Sequence, residues 1–247
     1  MEDLRKMSDE LKRILSLRSY PVAVSFYKSG NDLTKGKLPA EKLTFCQMVK
    51  LASQGKWQLS CPSDYMGCFT AQMIFGFRPP NEKDLKHHMM QFTDNEEIAS
   101  KIIAVKPKLK LGEIKGILVG SLDNFEPDFI ILIVDSAQAL VIIEAYGAIT
   151  GEDLSFRNGT SSALCSYGVV TSYQTNKPNL SVPCVGAKRY GLFQDTELAF
   201  VLPWESAKKV YSSLVELEKT SRTHLPIVNG FLSPTVPVNY ILKEENK

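Results

Sequence analysis

The segment FCQMVKLASQGKWQLSCPSDYMGC, Phe45 to Cys68, and the later segment LCSYGVVTSYQTNKPNLSVPCVG, Leu164 to Gly186, follow one plan. In each, a cysteine opens an apolar-polar stretch of helical character. A Lys-containing break follows, then a short Leu-Ser segment, then a Pro/Gly turn carrying another cysteine. Each copy also follows a run rich in β-branched and aromatic residues, VAVSFY at 22–27 and FIILIV at 129–134, the composition of a buried strand. The cysteines are unequally spaced in the two copies, so the alignment requires an insertion or deletion. Read as an internal duplication, the pattern predicts a single globular unit, 1–247, built of two related and intimately packed strand-helix halves, 1–110 and 111–247.

The flanking sequence supplies the other elements. Leu4, Met7, Leu11, Ile14 and Leu15 recur at helical spacing, which predicts an amphipathic helix over 2–17. The segment Phe45 to Gln54 reads as a helix stopped by Gly55, and 57–60 as a short strand before the Cys61-Pro62 turn. Phe69, Met73, Ile74 and Phe77 predict a helix ended by Pro79-Pro80, with two short helices over 81–104. Strands at 116–122 and 128–134, joined by DNFEP, read as a hairpin. Helices follow at 136–146 and 160–173, the second with Thr160 or Ser161 as N-cap. A strand at 198–202 and an amphipathic helix at 204–220 precede a Pro-rich tail that reads as an irregular wrap. Strands mixed with helices in this way define an α+β (mixed α/β) class.

At 247 residues the chain can bury a sizeable core without covalent staples. Its 29 basic and 27 acidic residues are interspersed and leave a net charge of +2, so nothing favours nucleic acid or a membrane surface. Apolar residues do not run on for the ~18 positions that a spanning helix needs. The N-terminus is charged and helical in spacing, unlike a signal peptide, and a cytoplasmic location is expected. In that reducing compartment grouped cysteines point to metal or redox chemistry rather than disulfides. The expected partner is a small molecule or a redox protein, and the sequence leaves a homodimer open.

If the two copies pack face to face, Cys46, Cys68, Cys165 and Cys184 converge on one site. Thiolate sulfur suits an iron-sulfur cluster first and zinc second. No C-x-x-C motif is present, and Cys61 is a reserve ligand. Gly67 and Gly186 adjoin Cys68 and Cys184 in turns where the backbone can approach a bound group closely. Lys188 and Arg189 follow, suited to offsetting cluster charge or to clamping an anionic partner.

Two other functions fit the same residues. In one, the cysteines are core residues and a cleft lined by Arg189, Trp57, Tyr65 and Tyr190 binds a small anionic ligand without chemistry of its own. In the other, one thiol is a nucleophile. It would need a histidine or a cation beside it, and the histidines are His87, His88 and His224. The His87-His88 pair reads as surface residues of a helix, and no phosphate-binding glycine motif occurs.

The run SSALCSYGVV…KPNLSVPCVGAKRYGLFQDTELAFVLP, with PVAVSFY and FCQMVKLASQGK, resembles the domain-of-unknown-function 169 family of archaea and anaerobic bacteria. The likeness covers roughly residues 15–240 and rests on a C-x-G-x-[KR] element and the order of the parts. It implies Cys46, Cys68, Cys184, Gly186 and Arg189 as matching positions, with Cys165 beside them and Cys61 a departure. The family brings no established activity, and its occurrence in anaerobes is compatible with an oxygen-sensitive cluster.

Overall fold

The computed structural model describes residues 2–28, 35–55 and 57–220. Parts of the expected loop at 28–38, the C-terminal tail and His224 lie outside these residues. The fold is mixed α/β, with one six-stranded antiparallel sheet in the order β2-β3-β1-β4-β6-β5. The strands are β1 (Val22–Tyr27), β2 (Gln58–Pro62), β3 (Gly116–Ser121), β4 (Phe129–Val134), β5 (Asn179–Ser181) and β6 (Leu198–Pro203).

That order repeats itself. β1 and β4 open their halves, lie at the centre of the sheet and pair antiparallel through Val22–Ile131 and Val24–Phe129. β3 and β6 flank them, starting from Val22 against Ser121 and Phe129 against Pro203. β2 and β5 form the two edges. In this order β3 is the counterpart of β6, as β2 is of β5 and β1 of β4.

The expected hairpin of β3 and β4 does not form. β1 lies between them, and the connecting segment is bound to it. Leu122 N–H donates to the Pro21 carbonyl, Asp128 N–H to the Val24 carbonyl, and the Asp128 carboxylate accepts from Phe26 N–H at 2.7 Å. Two hydrogen bonds to β1 and one to Pro21 just ahead of it hold the connection across the intervening strand.

Both sheet faces are covered, which explains why β3 and β4 are buried at every position. Ala23, Ile130, Leu132, Phe200 and Leu202 face α1 (Glu2–Ile14), α6 (Ser136–Thr150) and α9 (Trp204–Thr220). Val22, Val24, Phe26, Phe129, Ile131 and Val201 face the opposite layer. That layer holds α2 (Phe45–Ala52), α3 (Phe69–Ile74), a π-helical segment Ala163–Val170 continuing as α7 (Thr171–Thr175), and α8 (Val185–Gly191). The pair α4 (Glu82–Phe92) and α5 (Glu96–Ala104) completes the described elements. No helix among the described residues is long and apolar enough to cross a membrane.

Three local differences from the sequence reading have simple causes. α6 passes through Gly147 and ends at Gly151, the residue that takes the left-handed C-cap conformation at φ 68°. Neither Thr160 nor Ser161 caps the next helix, because Ser162 occupies the cap position in a left-handed conformation and makes no side-chain cap bond. The stretch after Cys184 is helix α8, too short to show a clear apolar period.

Candidate functional site

The two matching segments lie in the same layer as helix–edge strand–helix units: α2-β2-α3 and π/α7-β5-α8. Each unit carries two cysteines at the starts of its helices, and the first also carries Cys61 in β2. Cys46 is in the first turn of α2, which Thr44 and Gln47 close with a capping box. Cys68 is the N-cap of α3, where its Sγ accepts from Ala71 N–H at 3.4 Å. Cys184 holds the N-cap position of α8. Cys165 lies in the π-helical segment and its Sγ contacts the Ser162 carbonyl at 3.6 Å.

All four line one cavity of about 330 Å³ between the two units. Gly67, Gly186 and Arg189 line it as well, together with Phe45, Phe69 and Leu164. A Cβ on Gly67 would meet the Lys42 carbonyl oxygen at 2.5 Å, so the chain turns there only with glycine. Gly186 has open space, with the Cys184 Sγ the nearest atom at 3.8 Å.

The other sequence-derived residues divide. Tyr190 lines the cavity, whereas Trp57 and Tyr65 do not. Lys188 does not line it either, and its ammonium pairs with Asp195 at 2.9 Å. Cys61 is buried in the core from β2, away from the cavity, because its strand position turns it toward the sheet's packed face. Burial pushes that thiol up to about 12.

Burial also pushes Cys46 and Cys165 well above the ordinary thiol range, and Cys68 upward, with the neighbouring thiols adding to the effect on each. These thiols are protonated at neutral pH in the metal-free chain. A nucleophilic cysteine needs the opposite shift. Metal binding would instead displace the protons. No group of three or more His, Cys, Asp or Glu side chains among the described residues stands in position to hold a metal ion. The four thiols share a cavity wall without closing to the tetrahedron of about 2.3 Å bonds that one zinc ion requires.

One wall of the cavity was not legible from the sequence. Ser161 and Ser162 line it, just ahead of the π-helical segment. Behind Ser161 lies Lys106, 3% exposed, whose ammonium donates to the Ser161 hydroxyl in a short contact and approaches its carbonyl at 3.5 Å. His88 is fully buried rather than on the surface. Its Nδ1 bonds the Asp84 carbonyl at 2.7 Å and its Nε2 lies 3.4 Å from Ser161 Oγ. His87 is exposed and reaches the cavity rim. Lys106 sits between ordinary loop residues and carries no motif, so only the tertiary arrangement reveals it.

A mixed α/β protein with a duplicated sheet and a thiol-lined cavity between its two helical units is the class that these features define. Residues 10–213 match the model of domain of unknown function 169, described as an uncharacterised ArCR family, and the chain belongs to that family. It is also similar to the uncharacterized protein MJ0308 of Methanocaldococcus jannaschii. The two are 25% identical over 222 residues, 87% of this chain and 94% of the relative. No solved structure matches the chain.

Proposed function

We propose that the protein holds an iron-sulfur cluster in this cavity through Cys46, Cys68, Cys165 and Cys184, and acts in electron transfer or as a cluster-dependent accessory protein. The observation that carries the reading is that four thiols from two segments far apart in sequence line one cavity. One further point supports it: all five cysteines are free, as a reducing cytoplasm would keep them. When bound, the cluster would supply one-electron chemistry. The chain's own part is to bury the thiolates, exclude water and set Arg189 at the rim, where a cation offsets cluster charge or meets an anionic redox partner.

Anaerobic purification and reconstitution test the reading, with ultraviolet-visible spectra and iron and sulfide analysis. A brown protein with charge-transfer absorption near the visible edge and matching iron and sulfide is expected. Colourless, iron-free protein after reconstitution would exclude the cluster.

A further inference from the structure

We infer that the Ser161–Ser162 wall, backed by Lys106, is a subsite for the anionic end of a small organic carboxylate. Its evidence lies in these three residues and the helix they precede, so it stands with or without a cluster on the thiols.

The first support is an unpartnered polar group. Ser162 is 7% exposed, it lines the cavity, and its buried Oγ has no hydrogen-bond partner among the described residues. A buried hydroxyl left without a partner costs free energy, which a ligand acceptor seated in the cavity would recover. The same residue is held at φ 60°, ψ 31°, a conformation that a serine pays to adopt.

The second support is charge. Among the described residues no carboxylate lies within ion-pair distance of the buried Lys106 ammonium, whose partners are the Ser161 hydroxyl and carbonyl. A buried cation without a counter-ion is costly. Burial pushes its pKa down to about 8, a measure of how poorly that charge is met. The Asp84 carbonyl holds the proton of His88 on Nδ1, so Nε2 accepts from Ser161 at a long 3.4 Å; an anion that takes over that hydroxyl proton would meet the lysine through one hydroxyl.

The third support is the helix start. The eight-residue π-helical segment begins at Ala163, and the Ser162 side chain does not cap its first N–H groups, the usual place for an acceptor. Ser161, Ser162, Leu164 and Cys165 all line the cavity at this point.

The rest of the cavity decides between an inorganic and an organic anion. Phe45, Phe69, Ala71 and Leu164 form apolar wall, and Arg189 lies at the exposed rim, whereas Lys106 stands behind the serine wall. An alkyl body can bury against the first four, which a fully hydrated oxyanion cannot use.

Isothermal titration of the full chain, with thiols reduced, can use butyrate, its neutral isostere butyramide and inorganic phosphate. Butyrate should bind at least about tenfold more tightly than butyramide, the smallest effect expected of a charge-assisted hydrogen bond, and more tightly than phosphate. Ser162→Ala and Lys106→Met should each remove most of that discrimination, with far-ultraviolet circular dichroism confirming the fold. Should Lys106→Met not fold, Ser162→Ala and Ser161→Ala carry the comparison. Equal binding of butyrate and butyramide, or discrimination unchanged in the variants, would overturn the subsite. Phosphate binding as tightly as butyrate would overturn its organic character.

Discussion

Gly191 of α8 rests directly on Cys46 of α2: a Cβ built on the glycine would stand 2.8 Å from the Cys46 Cβ and 3.2 Å from its carbonyl carbon and oxygen. The contact joins the two helical units in the first turn of the first one. It is made of backbone, so neither side can yield by turning a flexible side chain.

Gly191→Ala should therefore destabilise the protein by about 1–3 kcal/mol, the cost of overpacking, and displace Cys46 from the cavity. Gly186→Ala is the control, since its Cβ would meet only the Cys184 sulfur at 3.8 Å. Denaturant melts and iron content after reconstitution check both. Equal behaviour of the two variants would show that the approach of α8 to α2 does not set the position of Cys46.

The cysteines should separate into two groups. Replacing Cys46, Cys68, Cys165 or Cys184 by serine should each lower the iron and sulfide retained, because each removes one wall thiol. Cys61→Ala should keep both and cost only packing, on the order of 1 kcal/mol for a small buried truncation. Iron loss in Cys61→Ala beyond that in wild type, with the fold intact, would bring the reserve ligand back and redraw the site.

How much of this was legible in the sequence follows from the range of each interaction. The paired segments, their flanking strands and the four cysteines were readable because the repeat is local pattern: a helix start, a Leu-Ser strand and a turn recur in order. The sheet order was not. Nothing in DNFEP tells whether the chain turns back beside itself or crosses a strand laid down about a hundred residues earlier. Asp128 decides it by bonding Phe26 N–H, a long-range contact without a sequence signature. Lys188 and Arg189 look equivalent as neighbours in sequence, yet a short helix directs one to Asp195 and the other to the cavity. Lys106 and His88 were misjudged or missed for the same reason, since a buried polar residue has a polar residue's sequence context.

Arg78 ties the cavity wall to α4. Its guanidinium bonds both Asp84 carboxylate oxygens at 2.7 Å, donates to the Phe69 carbonyl at 2.7 Å and lies 3.6 Å over the Phe69 ring. The Asp84 side chain is fully buried. Arg78→Met would leave that carboxylate without its counter-ion, and a loss of about 3–5 kcal/mol is expected from chemical denaturation. Removing both, as Arg78→Met with Asp84→Leu, should recover much of it. A single variant within about 0.5 kcal/mol of wild type would show that the pair does not hold α3 against α4.

Lys106 should give the folded state a pH dependence of definite sign. Burial lowers its pKa from 10.5 to about 8. Below pH 8 the lysine is charged in both folded and unfolded chains, and the full penalty is present and constant. Between about pH 8 and 10.5 the unfolded chain binds the extra proton, so stability rises with pH, by up to about 1.4 kcal/mol per unit. The buried thiols act oppositely. Cys46 and Cys165 titrate above their ordinary value of 9.0, so above about pH 9 the folded chain binds the extra protons and stability falls. The clean window is pH 8 to 9, read as the difference between wild type and Lys106→Met in urea unfolding of the metal-free protein. Wild type should gain about 1 kcal/mol on the variant across that unit. With saturating butyrate the gain should shrink, because an anion at Ser161 restores the lysine's charge and moves its titration upward. A difference that stays flat from pH 8 to 9 would mean that the ammonium is already compensated, and would remove the charge argument for the subsite.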